Sequence, residues 1–368
     1  MKRRQRKRQR PSERKRKDDK DRLSDLPDGV LLHIMHFMNT KNAVRTCVLS
    51  KRWKDLWKGL SHFVLHSKDF ISLSRFKIFV YWALIRRDQP FNMHSLDFSR
   101  HGCIDRTFLY LLMRCAMQHK VQSLTLNINL VNDFELLHCI FKCQSLTFLK
   151  ISVQSITRMM VRCPKSLGLM ALKTLHLSNV NFTETYNDCA DPFSNCKVLN
   201  TLVIDHCVLR RGTRVLRISN ATLSSLTILD TLEPAHKIDL DTPNLCSLTI
   251  RTDPIHQLST CNLPFLDELN ITCRYTNMPN DPFIFTWLQL LGTNVRIMTL
   301  CSRTIEIINN LSTNDSTKIQ PPCFARLKAL KVYRYQYTRL SSEGMRRAVA
   351  YLLQNSPKPK VDIIYDKK

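Results

Sequence analysis

Glycine is scarce in this chain of 368 residues: there are seven, at positions 29, 59, 102, 168, 212, 292 and 344. No two stand close enough to form the Gly-x-Gly or Gly-x4-Gly-Lys turns whose backbone N–H groups cradle phosphates, so no nucleotide loop is expected. The pair C-x-x-C is missing among the fourteen cysteines, which removes the usual paired-thiol zinc site and thioredoxin-like exchange. No apolar run approaches the roughly 18 residues that a membrane-crossing helix needs, and no membrane partner is expected. The start of the chain is basic rather than apolar, so no secretory leader is expected and the cysteines read as reduced thiols. Cys139, Cys143, Cys196 and Cys207 stand among Leu and Ile, where a thiol behaves as a small hydrophobe. His33/His36 and His62/His66 are paired in sequence, but both pairs read as surface histidines. No metal, no cofactor and no catalytic residue is assigned, and the chain reads as non-catalytic.

Acid is also in short supply, with 30 Asp and Glu against 56 Lys and Arg, a net charge of +26. The first twenty residues hold 12 of those cations and 3 acids. The clusters Lys2-Arg3-Arg4, Arg6-Lys7-Arg8 and Arg14-Lys15-Arg16-Lys17 have almost nothing apolar between them. Such a segment cannot offset the entropy of ordering, so residues 1–20 are expected to be a disordered basic arm. Clustered cations on a flexible arm suit an acidic import receptor, so these ten residues are read as a nuclear-import signal, placing the chain in the nucleus and also in the cytoplasm. Attachment to nucleic acid through phosphates is the lesser reading, and a solvated tail the third.

Residues 21–60 pack three short helical patterns into forty residues. Asp25 stands before Leu26-Pro27-Asp28, a start signal made of Pro near a first helical position with an acid beside it. Val30, Leu31, Ile34, Phe37 and Met38 then recur at helical spacing. Thr40 is placed to cap a second helix carrying Val44, Cys47 and Val48, and Ser50 a third carrying Trp53, Leu56, Trp57 and Leu60. So short a segment cannot bury this many large apolar side chains by itself, so part of that surface should meet a partner.

The order Leu26-Pro27, then Val44 to Ser50, then Lys51-Arg52-Trp53 with Trp57 resembles the F-box of plant F-box/leucine-rich-repeat proteins. The resemblance covers nearly all of residues 21–60. It implies docking onto a Skp-type adaptor, and through it a cullin, in a ubiquitin ligase. By position it implies Leu26, Pro27, Val30, Ile34, Phe37, Val44, Val48 and Trp53 as adaptor contacts.

Residues 66–92 read as a helical connector, after a short strand at Phe63-Val64-Leu65. From Met93 onward a segment of the form L-x-x-L-x-L recurs ten times, its fourth position falling at 96, 124, 149, 175, 202, 226, 248, 269, 298 and 330. The mean spacing is 26 residues, with single steps from 21 to 32. The last two apolar positions of each segment alternate with period two, so both point into one core from a short strand. About twenty further residues return the chain, and stacked units share a continuous core that none could bury alone. This region too resembles the plant F-box/leucine-rich-repeat proteins, in degenerate form. The ninth position of the repeat, Asn or Cys in the family, holds Cys207 in one unit but Val180, Gln154 or Asp253 in others. The tail adds a helical pattern from Ser342 to Gln354 and an apolar strand from Val361 to Tyr365, a layout similar to the FBD region of such proteins and equally to a plain terminal repeat.

The expected fold is therefore α/β: a disordered arm (1–20), a three-helix F-box (21–65), a helical connector (66–92), a solenoid of about ten irregular leucine-rich repeats with short parallel strands (93–335), and a cap or FBD-like tail (336–368). On each strand the residue between the two inward positions faces outward, as does the residue two positions further on. That strip is mixed in charge and mostly small and polar, suited to holding a protein surface by hydrogen bonds and scattered ion pairs. Asp97, Lys150, His176, Asp205 and Arg251 are its candidate target contacts. The function expected is that of a substrate receptor, with an adaptor at one end and a target at the other. A nuclear nucleic-acid-binding protein working through the basic arm and a non-ligase scaffold are the alternatives.

Overall fold

In the computed structural model the described residues are 23, 25–87, 93–129, 135–154, 161–210, 212–230, 237–251, 257–260, 263–273, 283–313, 320–334 and 340–365. The import-signal residues 2–17 lie outside them. The chain divides into two compact units, Met1–Leu60 and Ser61–Lys368.

In the first unit, helix α1 (Asp28–His36) starts behind Pro27. The Pro27 carbonyl accepts from the N–H groups of Val30 (3.0 Å) and Leu31 (3.1 Å). Asp28 puts a negative charge in the first turn, where the helix dipole favours it. Helix α2 (Thr40–Arg45) is capped by Asn39, whose Oδ1 accepts from Asn42 N–H at 2.9 Å. Thr40, expected as that cap, is instead the buried first residue of the helix. The expected third α-helix does not form. Trp53 and Lys54 donate to the carbonyls of Ser50 and Lys51 in turns, and a 3-10 segment follows at Leu56–Gly59. So short an α-helix is marginal in isolation, and packing decides the backbone instead. Trp53, Trp57 and Leu60 all reach the interior, at 4%, 2% and 3% exposure, beside fully buried Leu31, Met35 and Ala43.

The second unit is built on one twelve-stranded parallel sheet whose strands follow one another in chain order. They are β1 (His62–His66), β2 (Ser95–Cys103), β3 (Ser123–Asn129), β4 (Phe148–Gln154), β5 (Thr174–Ser178), β6 (Thr201–Asp205), β7 (Ser225–Leu229), β8 (Ser247–Arg251), β9 (Glu268–Thr272), β10 (Ile297–Cys301), β11 (Ala329–Arg334) and β12 (Lys360–Tyr365). All ten L-x-x-L-x-L segments supply a strand, and from Leu96/Phe98 to Leu330/Val332 their two inward residues are at most 1% exposed. Burying such a side chain contributes about 1.5–3 kcal/mol, so the stack of inward pairs is the core that holds the solenoid.

The array is longer than expected at both ends. β1 pairs with β2, so the sheet begins one strand before the first L-x-x-L-x-L segment, and the connector 66–92 carries the first return segment, with helix α3 (Leu73–Ile85). At the other end helix α7 (Ser342–Leu352) leads into β12, which extends the sheet. The tail thus continues the solenoid, and about ten units become twelve strands.

Spacing decides what returns the chain. The long steps of 28, 29 and 32 residues hold helices α4 (Arg106–Gln118), α5 (Phe283–Leu291) and α6 (Ser302–Ser312). The 21- to 27-residue steps between β3 and β9 hold no α-helix among the described residues. A helix advances about 1.5 Å per residue and a strand about 3.3 Å, so a short return must run extended. Those extended returns pair into two small parallel sheets. One joins Val161–Arg162, Val180–Phe182 and Val208–Leu209; the other joins Cys189–Ala190, Val215–Ser219, Lys237–Asp241 and Gln257–Thr260. Buried Asn220 ties the turns together, donating from Nδ2 to the carbonyls of Phe193 (3.1 Å) and Cys196 (2.9 Å) while Oδ1 accepts from Thr222 N–H. All described cysteines are free thiols. Burial pushes the Cys196 thiol up to about 11 and Cys207 to about 12, so both stay protonated and act as apolar filling.

Candidate functional site

Within the first unit, several large apolar residues are left outside its core. Val30, Phe37, Val48 and Leu49 are 42%, 78%, 83% and 60% exposed. Leu26, Ile34 and Val44 of the same unit are half-buried, and Pro27 is exposed. The rings of His33 and His36 meet Phe37 edge-on at 5.1 and 5.9 Å, so this pair lies at the surface. Arg52 joins two blocks that are far apart in sequence. Its Nε and Nη2 donate to Asp28 Oδ1 at 2.8 and 2.6 Å, and Nη2 also donates to the Leu26 carbonyl. Asp28 is largely exposed, so the pair adds little stability. What it does is fix the entry of α1 against the segment carrying Trp53.

Trp53 itself is corrected. It was expected as an adaptor contact, but at 4% exposure it belongs to the interior. The resemblance implied the indole as a contact by position, whereas here it is buried like Trp57 and Leu60, which share its expected helical pattern. Leu49 was missed. It directly follows the 3-10 segment Thr46–Val48, and neither Val48 nor Leu49 turns inward there.

In the second unit, the outward residues of the sheet form rows in register. One row runs Asp97, Thr125, Lys150, His176, Val203, Thr227, Thr249, Asn270, Thr299 and Lys331. The row before it is rich in hydroxyls, with Thr174, Thr201, Ser225 and Ser247 side by side on β5 to β8. Across β8 to β11 this face has a depression of about 150 Å³, lined in part by Ser247, Thr249, Glu268, Asn270, Thr299 and Lys331. The five candidate target residues do not form one cluster. Lys150 and His176 are register neighbours, and burial followed by the Lys150 charge pushes the half-buried His176 imidazole below its ordinary range, so it is neutral at pH 7. Asp97 lies two strands from Lys150, with His66 Nε2 3.2 Å from its Oδ2.

Asp205 and Arg251 are drawn together by residues that were not anticipated. Asn179, His206 and Asp230 follow β5, β6 and β7 with φ of 59°, 49° and 42°. Their N–H groups donate to the carbonyls of Asp205, Leu229 and Arg251, each on the next strand. Asn, Asp and His tolerate this left-handed turn better than most residues, which is the signal that sequence reading could have used. His206 Nδ1 lies 2.7 Å from Asp205 Oδ1, and Arg251 Nη2 donates to Asp230 Oδ2 at 2.8 Å. Ligand atoms of Asp205, His206 and Asp230 lie within 4.8 Å of one another, the spacing of a cation site. The Arg251 guanidinium already supplies positive charge there, so the arrangement is an ion-pair ledge at the end of the strands.

Comparison with known proteins agrees with this geometry. The F-box domain model matches residues 23–65, and the model of the leucine-rich repeats of the FBD-associated F-box protein At5g56370 matches residues 109–273. Three Arabidopsis thaliana relatives illustrate the likeness. The putative FBD-associated F-box protein At5g22720 is 28% identical over 72% of this chain and 57% of its own length. The F-box/FBD/LRR-repeat protein At1g78750 is 26% identical over 86% of this chain and 72% of its own. The F-box protein At3g62430 is 32% identical over 61% and 53%. The chain thus spans about half to three-quarters of the length of these relatives. An F-box followed by a leucine-rich-repeat solenoid defines the class of protein. The chain belongs to the plant F-box/leucine-rich-repeat proteins.

Proposed function

We propose that this chain is the substrate-recognition subunit of a Skp/cullin/F-box ubiquitin ligase. The observation that carries the reading is the exposure of Val30, Phe37, Val48 and Leu49 on a unit that matches the F-box. An adaptor buries them, and the polar face of the solenoid holds a target protein within reach of the ubiquitin-charged enzyme. Tethering raises the effective concentration of the two reactants, so the chain needs no catalytic group of its own. The family supports the same division of labour, since F-box and leucine-rich-repeat modules are binding modules.

A pull-down with a purified Skp-type adaptor tests the first half. The intact chain should capture the adaptor, and Leu26→Ala with Pro27→Ala should abolish capture while the solenoid stays folded by circular dichroism. Failure of the intact chain to bind any Skp-type adaptor overturns the reading. The location proposed is the nucleus, supported by the cation clusters between residues 2 and 17. Removing residues 1–20 from a fluorescent fusion should shift it to the cytoplasm with adaptor capture unchanged. An unchanged nuclear signal refutes the address. Loss of a steeply salt-dependent nucleic-acid affinity on the same deletion favours the nucleic-acid reading instead.

A further inference from the structure

Helix α3 (Leu73–Ile85) is apolar on two opposite sides. One side belongs to the core: Phe76, Val80 and Ala83 are fully buried, and the Phe76 ring meets Phe98 of β2 at 5.6 Å and Phe108 of α4 at 6.5 Å. The other side is open. Ile78 and Ile85 are each 69% exposed, and Ile71, directly before the N-cap Ser72, is 88% exposed. Half-buried Trp82 lies between Ile78 and Ile85, with the Phe79 ring at 6.2 Å. At about 100° per residue, Ile78, Trp82 and Ile85 fall within roughly 60° of one another, on the side away from the buried residues. A helix that is apolar all round is normally covered on both sides.

The form of the open side indicates what covers it. Ile71, Ile78 and Ile85 recur at seven-residue intervals, and Arg75 and Trp82 fill the alternate positions of the same row. This is the narrow seam with which one helix packs along another, not the broad apolar face of a helix lying in a lipid surface. The surroundings are basic. From 73 to 87 the chain has four cations, Arg75, Lys77, Arg86 and Arg87, and no acid. Lys77 is bonded to Asp105 at 2.8 Å. The Arg86 guanidinium lies over the Trp82 ring at 5.6 Å. Arg75 and Arg86 are exposed, and neither forms an ion pair among the described residues. Two copies of α3 laid together would set these cations against each other, which disfavours a second copy of this chain and favours an acidic partner.

We propose that the outer side of α3 is a docking surface for an acidic amphipathic helix of another protein, which lays its own heptad seam along Ile71, Ile78, Trp82 and Ile85 with its carboxylates toward Arg75 and Arg86. Packing of the isoleucines and the indole supplies affinity, and the two guanidinium groups select the charge of the partner. No residue of the first unit takes part, so this surface exists whether or not the chain docks onto an adaptor.

The test is fluorescence anisotropy with the full chain and a labelled peptide repeating the heptad Leu-Glu-Ala-Ile-Glu-Glu-Ala, whose like charges keep it from pairing with itself. Saturable binding is expected with a dissociation constant of roughly tens of micromolar. Ile78→Gln with Ile85→Gln places good helix formers at exposed positions, so the melting temperature should stay within a few degrees while binding weakens by at least about tenfold. Arg75→Gln with Arg86→Gln should weaken it about fivefold and remove most of its dependence on salt. Capture of a Skp-type adaptor should be unchanged in both variants. The proposal is overturned by the absence of saturable binding, by equal binding of the peptide with its Glu replaced by Lys or with its order scrambled, or by full affinity in the Ile78/Ile85 variant. Three further results also overturn it. Self-association of the intact chain that this variant removes assigns the seam to a second copy. Binding to phosphatidylserine vesicles that it removes, without peptide binding, assigns the seam to a membrane. Loss of adaptor capture in the same variant assigns it to the adaptor.

Discussion

Replacing Phe37 and Val48 together by Asp should weaken binding of a Skp-type adaptor by about 100-fold or more, with the rest of the chain unaffected. Both side chains are mostly in water, at 78% and 83% exposure, so the fold of the unit loses almost nothing with them. In the proposed complex the same positions would be the apolar centre of the interface. Central contacts of this kind are each worth about 2 kcal/mol or more, and a carboxylate brought into a dry interface adds a desolvation penalty. Titration calorimetry against the adaptor measures the loss, and circular dichroism checks the fold. Trp53→Ala is the instructive contrast. It too should lose binding, but by removing buried volume at a cost of about 3–5 kcal/mol, so its defect should appear first as early unfolding. Undiminished affinity in the Phe37/Val48 variant would remove this face from the adaptor interface.

Ile228→Asp should collapse the middle of the solenoid and abolish target capture while adaptor capture survives. Ile228 is fully buried on β7, between Ile204 on β6 and Ile250 on β8 in the register. A carboxylate there has no partner, and it either stays charged at a cost of several kcal/mol or takes up a proton and remains an unsatisfied polar group. The loss spreads, because each repeat is held mainly by its neighbours. Thermal melting should show loss of a cooperative transition. Affinity capture should show the adaptor retained and the target set lost. If targets remain bound, recognition does not run through the sheet face of β5 to β9.

The repeats were legible because their signal is local and recurs. Two apolar residues with period two, ten times over at 21- to 32-residue spacing, leave no other way to bury so many Leu and Ile, and every one of those segments became a strand. The added units at each end were less visible because β1 and β12 carry His62-Phe-Val-Leu-His66 and Lys360-Val-Asp-Ile-Ile-Tyr365 rather than the leucine pattern. Their place in the sheet is set by a neighbouring strand and not by their own composition. Asp230 and His206 escaped notice for a related reason: a residue just past a strand end acquires its role from the carbonyl of the next strand, some twenty residues away.

The sequence alone determined the class of protein and the parallel solenoid, since periodicity and motif order act over a few residues. Only the tertiary structure decided which apolar side chains of the first unit are core and which are surface. The family resemblance puts Trp53, Val48 and Phe37 in one category. The turns after Ser50 send the indole inward, because burying three large side chains outweighs a few helical hydrogen bonds. The same holds for the ion-pair ledge around Asp205 and Arg251 and for the left-handed turns that follow β5, β6 and β7. Each depends on which strand lies alongside, and that is settled by long-range pairing.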